Sequence, residues 1–104
     1  MNTSTELAQM AAQQFDLVAS EELWDATKLR NTLAVRISWL LDHRFEELLG
    51  VLYRVDVREG DAKRILGFAP KDEIPILLAN LILDKLREKL VYRKMYPPEI
   101  QGDW

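Results

Sequence analysis

The stretch EIPILLANLILDKLREKLVYRKM, residues 73–95, decides the fold of this chain. It predicts a long helix, because leucine dominates it and Pro75 stands in the first turn, where the backbone needs no donor. Pro97 and Pro98 end the helix. Its first half is apolar over a wide arc, formed by Ile74, Ile76, Leu78, Leu81, Ile82 and Leu83. Several neighbouring helices are needed to bury an apolar arc of this width, so we expect this helix to lie at the centre of the fold.

A second long helix is predicted over residues 21–41. Ser20 is a suitable N-cap, and Glu21, Glu22 and Asp25 place negative charge at the positive end of the helix dipole. One continuous apolar face follows, made of Leu23, Ala26, Leu29, Leu33, Ile37, Leu40 and Leu41. At about 22 residues, each long helix would measure roughly 33 Å.

Three shorter helices are expected. The N-terminal one covers residues 5–19, where Thr3 and Glu6 have capping-box spacing. Its apolar stripe is thin and consists of Leu7, Ala11, Phe15 and Val18.

The other two short helices are predicted between the long ones. Asp42 should cap the first of them, which buries Phe45, Leu48, Leu49, Leu52 and Val55 and exposes Glu47 and Arg54. Asp56 and Glu59 have capping-box spacing for a helix over residues 57–66, and Gly67 suits its left-handed cap.

These elements predict an all-α fold, a four- to five-helix bundle whose two long helices (about 21–41 and 73–95) are bridged by short ones. We expect a single domain over residues 1–96 and a flexible tail over 97–104, unless Ile100 and Trp104 dock. Two long helices lying side by side make a thin slab. One apolar face can then remain uncovered for a partner.

Composition excludes several classes of protein. The 104 residues are 48% hydrophobic and 30% charged, which is enough to form a core. The absence of cysteine excludes disulfide scaffolds, thiol nucleophiles and cysteine-ligated metals. The longest apolar run, Ile74 to Leu83, has ten residues, whereas a membrane span needs about 20. No stretch has the pattern of an export signal, so we expect a cytoplasmic protein.

Charge is distributed unevenly along the chain. Residues 1–25 contain five acids and no base, whereas residues 85–96 carry five bases and one acid. The bases of the second group are Lys85, Arg87, Lys89, Arg93 and Lys94. They can complement the helix dipole, meet the acidic N-terminal segment, or contact a phosphate backbone. A sequence pI of about 5.1 argues against the third possibility.

Candidate chemistry is sparse. His43, the one histidine, has Glu46 and Glu47 three and four residues on, a spacing that places side chains on one helix face. A closed metal site would need a second copy of the chain to complete it. We therefore predict no catalytic residue, metal or cofactor. The helices around Asp56 could also imitate a helix-turn-helix with Arg58, Lys63 and Arg64, but a plain helical corner fits better, since the turn lacks its usual glycine.

Aromatic residues point to a partner. Trp39 falls on the polar face of its helix, which a single buried face does not explain. The predicted interaction residues are Trp24, Trp39, Leu77, Tyr92 and Tyr96. Tryptophan and tyrosine dominate the energetics of interfaces. The alternative is that Trp39 packs beneath the N-terminal helix within one molecule.

The stretches LLDHRFEELLGVLYRVDVREGDAKRIL, residues 40–66, and ILLANLILDKLREKL, residues 76–90, resemble a group of small uncharacterised bacterial proteins. The shared pattern is a polar pair, an aromatic residue, then Leu-Tyr-Arg, an aliphatic residue and Asp. Here it consists of Asp42, His43, Phe45, Leu52, Tyr53, Arg54, Val55 and Asp56. The resemblance carries no assigned activity, so it implies a cytoplasmic all-helical protein and nothing about its chemistry. Arg54 and Asp56 could form a structural pair at the corner between helices.

We therefore expect a non-catalytic protein-interaction or scaffolding module that forms a homodimer through surplus apolar surface. The first alternative is a nucleic-acid-associated regulator that uses the basic cluster of residues 85–94. The second is a metal-assisted enzyme at a dimer seam around His43 and Glu47.

Overall fold

The computed structural model describes residues 3–96, without the side chains of Thr3 and Glu22. The predicted tail at 97–104 and the predicted Thr3–Glu6 capping box lie outside this description. Within residues 3–96 the chain is helical and has no strand, which confirms the all-α prediction. The elements are α1 (Thr3–Gln14), a 3₁₀ turn (Glu21–Trp24), α2 (Ala26–His43), α3 (Phe45–Val55), α4 (Glu59–Phe68) and α5 (Ile74–Met95).

The pairing of α2 with α5 is the most extensive helix contact and forms the centre of the core. Helix α5 spans the range that its leucines and Pro75 predict, and it has buried residues along its whole length. Those residues are Ile74, Leu78, Ala79, Ile82, Leu83, Leu86 and Leu90. The molecule measures 43 × 30 × 19 Å. The shortest dimension matches about two helix diameters, so the predicted slab has two layers.

Helix α2 begins later than predicted, at Ala26. Its N-cap is Asp25, whose side chain accepts a hydrogen bond from the backbone N–H of Lys28 at 3.0 Å. Ser20, the N-cap that the sequence predicts, does not cap this helix, because residues 21–24 form the 3₁₀ turn instead. Two acceptable caps lie five residues apart, and Leu23, which is buried, fixes the choice by packing before the helix begins.

Helix α1 is shorter than predicted and ends at Gln14 rather than near residue 19. Asp16 has φ 56°, which breaks the helix, and Val18 is 88% exposed instead of continuing the apolar stripe. The buried side of α1 is rich in alanine, with Ala8 and Ala11 fully covered, so it lies close against α5 within the same chain. Docking in one molecule compensates for the thin apolar stripe.

The corners on either side of α3 differ from the predicted ones. Asp42 lies inside α2, and the break falls at Arg44, with φ −144° and ψ 61°. Asp56 ends α3 in the left-handed conformation, with φ 68° and ψ 43°, so it does not start α4 as a capping box with Glu59. Gly67 was expected to cap α4 with positive φ; it lies within that helix, and no glycine among the described residues has positive φ.

Candidate interaction surface

An open groove lies between α3 and α4. Both helices pack on α5 but make little contact with each other, because the left-handed turn at Asp56 sends them apart. The groove has a volume of about 770 Å³. Its apolar lining comes from Leu49, Leu52, Tyr53, Val57, Ala62 and Leu66. A mostly apolar concavity of this size is the usual form of a binding site.

One wall of the groove carries apolar side chains that the fold leaves uncovered. Phe45, Leu49 and Tyr53 follow one another at helical spacing of four and are 43%, 41% and 87% exposed. At 100° per residue they fall within about 80° of one another, beside the buried stripe that faces the core. We call these three residues the α3 stripe. The prediction that Phe45 and Leu49 belong to the core is wrong, because no helix among residues 3–96 covers that side of α3.

Charges of both signs surround the groove. Asp56 and Glu59 stand beside Arg58, Lys63 and Lys85 in its lining. Lys63 pairs with Glu59 at 3.1 Å on the exposed surface of α4. Arg58 forms no ion pair within the described part of the chain. The rim therefore suits a partner of mixed charge better than a partner of one sign.

The predicted aromatic interaction residues are exposed but scattered. Trp24 and Trp39 are 43% and 42% exposed, so Trp39 is not buried beneath α1. The rings of Tyr92 and Tyr96 contact each other near the end of α5, with centroids 4.6 Å apart and planes tilted by 35°. Leu77 is partly buried near the start of the same helix. Because 15 residues of helix rise by about 22 Å, Leu77 and Tyr92 cannot belong to one compact patch.

Most of the basic cluster of residues 85–94 has partners within the chain. Lys85 lies 3.9 Å from Glu88, and Arg87 lies 3.1 Å from Asp84. The Lys89 ammonium donates to the backbone carbonyl of Arg54 at 3.3 Å. Lys94 lies 3.6 Å from Glu6 of α1, as expected if the basic end of α5 meets the acidic N-terminal segment. Arg93 has no ion pair among residues 3–96.

The geometry around His43 does not match the predicted ligand spacing. The break at Arg44 separates His43, the last residue of α2, from Glu46 and Glu47 in α3, so they share no helix face. The His43 ring stacks on Trp39, and its Nδ1 lies 3.0 Å from the Trp39 carbonyl oxygen. Within the described residues, no three His, Asp or Glu side chains converge as a metal site would require.

Arg54, which the sequence pattern places at the corner between helices, has a hydrogen-bond partner in another helix. Arg54 donates to the side-chain oxygen of Gln14 at 3.3 Å and to its backbone carbonyl at 3.5 Å. This links the end of α3 to the end of α1, so the expected pairing of Arg54 with Asp56 is wrong.

No protein-family model, curated protein or solved structure matches this chain. Among residues 3–96, no helix has the length and hydropathy needed to cross a bilayer.

Proposed function

We propose that this protein is a non-catalytic interaction module that forms a homodimer through the α3 stripe and the groove beside it. The observation that carries this proposal is the exposed run of Phe45, Leu49 and Tyr53, next to a groove with apolar walls. Exposed apolar patches with a polar rim are typical of protein–protein interfaces.

A second copy is the partner that fits both features. Each molecule carries a ridge, the α3 stripe, and a groove, so two copies related by a twofold axis can place ridge into groove twice. With the axis near Leu49, the two α3 helices run antiparallel. Phe45 of one copy then lies near Tyr53 of the other, a pairing that aromatic rings favour.

The charges support the same arrangement. The antiparallel pair brings Glu46, at the start of one α3, towards the end of the groove that carries Arg58 of the other copy. Neither residue forms an ion pair within the described part of the chain. A rim of mixed sign also avoids the repulsion that two identical single-sign surfaces would produce.

Sedimentation velocity at micromolar concentration tests this function. The wild-type chain should sediment as a dimer of 12.1 kDa subunits. Leu49→Lys should raise the dimer dissociation constant by at least about tenfold, because each dimer loses the contact twice. Val91→Lys, on an exposed part of α5 away from the groove, is the matched control and should leave the dimer intact. A monomeric wild-type chain would refute the proposal.

The nucleic-acid alternative depends on the basic cluster of residues 85–94, and most of these side chains have partners within the chain. Binding of that kind would weaken steeply with salt as counterions are released. The same samples, titrated with DNA and RNA at low salt, would show a mobility shift if the alternative holds.

A further inference from the structure

A set of hydrogen bonds joins α1, α3 and α5 on the side of α3 away from the groove. Arg54, in the last turn of α3, donates from Nε to the side-chain oxygen of Gln14 at 3.3 Å and from Nη2 to the Gln14 backbone carbonyl at 3.5 Å. The Lys89 ammonium of α5 donates to the backbone carbonyl of Arg54 at 3.3 Å. We call these three contacts the Arg54 bridge.

The Arg54 bridge satisfies backbone groups that the helices themselves leave unpaired. Gln14 is the last residue of α1, and Arg54 stands one residue before the end of α3, so neither carbonyl has a donor within its own helix. Basic side chains at such helix ends also interact favourably with the helix dipole. Since α1 packs mainly on α5 and the 3₁₀ turn rather than on α3, the bridge is the link through which α1 holds the end of α3.

The turn of α3 that carries the bridge also carries part of the proposed dimer surface. Tyr53 belongs to the α3 stripe, and Asp56 sets the direction of α4 and lines the groove. Successive residues of a helix are 100° apart, so Arg54 faces α1 while Tyr53 faces the groove. A displacement of this turn therefore moves Tyr53 and Asp56 together.

Helix α1 is the helix best able to detach from the rest of the fold. Three of its four buried hydrophobic side chains are alanines, which bury less apolar area than leucine does. Its ion pair, Glu6 with Lys94 at 3.6 Å, is partly exposed. Asp16 ends the helix with φ 56°, and residues 17–20 belong to no helix. Elements with few buried apolar contacts open locally at a lower free energy than the core does.

We propose that the docking of α1 controls dimerisation through the Arg54 bridge, an inference that rests on the proposed dimer. With α1 docked, the bridge fixes the last turn of α3, and the stripe and groove keep the shape that a second copy fits. With α1 detached, Arg54 loses both acceptors on Gln14 and the last turn of α3 loosens. Both copies in a dimer must be docked, so the apparent dissociation constant varies as the inverse square of the docked fraction. A docked fraction of about one third raises it about tenfold.

Sedimentation velocity on the full chain and three variants tests this coupling. Ala11→Leu should detach α1, because residue 11 is fully buried, and should raise the dimer dissociation constant about tenfold. Arg54→Met should cause a similar rise, since it removes the link while keeping the apolar stem. The double variant should differ from either single variant by less than about twofold, because the second change breaks a link that is already lost. Two independent destabilising effects would multiply instead.

An exchange of charges supplies a second test, which does not depend on how Ala11→Leu folds. Gln14→Arg places two guanidinium groups together and should weaken the dimer. Adding Arg54→Glu re-creates the pair with its partners exchanged and should restore most of the affinity, which general damage to the fold would not do. Arg64→Met, which removes an exposed cation paired with Asp61 of its own helix, is the control and should dimerise as the wild type does.

Hydrogen exchange separates this inference from the proposed dimer. In Ala11→Leu, residues 52–56 should exchange faster than in the wild type, even at dilutions where both proteins are monomeric. Unchanged exchange there, or a wild-type dimer whose dissociation constant is unaffected by Ala11→Leu or by Gln14→Arg, overturns the coupling and leaves the dimer standing. A wild-type chain that stays monomeric overturns both.

Discussion

At the scale of single residues, the corner between α3 and α4 depends on Asp56. Its φ of 68° is the left-handed conformation, which costs a β-branched residue far more than aspartate or asparagine. We predict that Asp56→Val lowers the free energy of unfolding by about 1–2 kcal/mol. Asp56→Asn should change it by less than about 0.5 kcal/mol. Urea denaturation of the three proteins measures the difference, and equal midpoints for Val and Asn would contradict the prediction.

Phe45 and Leu49 show that the pattern of apolar residues predicts the apolar side of a helix but not its burial. Their spacing correctly places them on the apolar side of α3, but a helical wheel does not say how much of an apolar arc the neighbours cover. The missing information is the direction of α4, which Asp56 sets. Aspartate tolerates the left-handed conformation without requiring it, so the open groove could not be predicted from the sequence.

At the scale of elements, α2 and α5 could be predicted because their apolar faces are long and continuous. The central parts of both helices are predicted correctly. The errors concern the helix ends, where several capping signals compete. Ser20 and Asp25 are both good N-caps, and only the packing of Leu23 decides between them. Gly67 is the predicted C-cap of α4, but this helix continues to Phe68, and its C-cap is Ala69 in extended conformation.

The docking of α1 also belongs to this scale, and it depends on small side chains. Ala11 is fully buried where α1 lies against the core, so Ala11→Leu should force the helix away and cost about 1–3 kcal/mol. Gln9→Leu is the control, because residue 9 is exposed on the same helix. Hydrogen exchange should show faster exchange in α1 for Ala11→Leu alone. Protection equal to that of the wild type would mean that α1 is not packed this closely.

At the scale of the whole molecule, the two-layer slab explains where surplus apolar surface remains. α5 is covered by α2 on one side and by α1, α3 and α4 elsewhere, but no element in the described part of the chain covers the outer part of α3 or the outward side of α2. Trp24, Trp39, Tyr92 and Tyr96, the aromatic residues that the sequence predicts for an interface, are exposed, and their role in binding stays a prediction. The α3 stripe could not be predicted, because that surface depends on which helices are neighbours in the fold.

Disulfide cross-linking tests the proposed dimer and its surface together, since the chain has no cysteine to interfere. In an antiparallel α3 pair, the two copies of residue 49 face each other near the twofold axis, within reach of a disulfide after small movements. Leu49→Cys should form a covalent dimer under mild oxidation, whereas Phe68→Cys, 87% exposed on α4 outside the groove lining, should stay monomeric under denaturing conditions. Equal cross-linking of both variants, or none at residue 49, would contradict dimerisation through the α3 stripe.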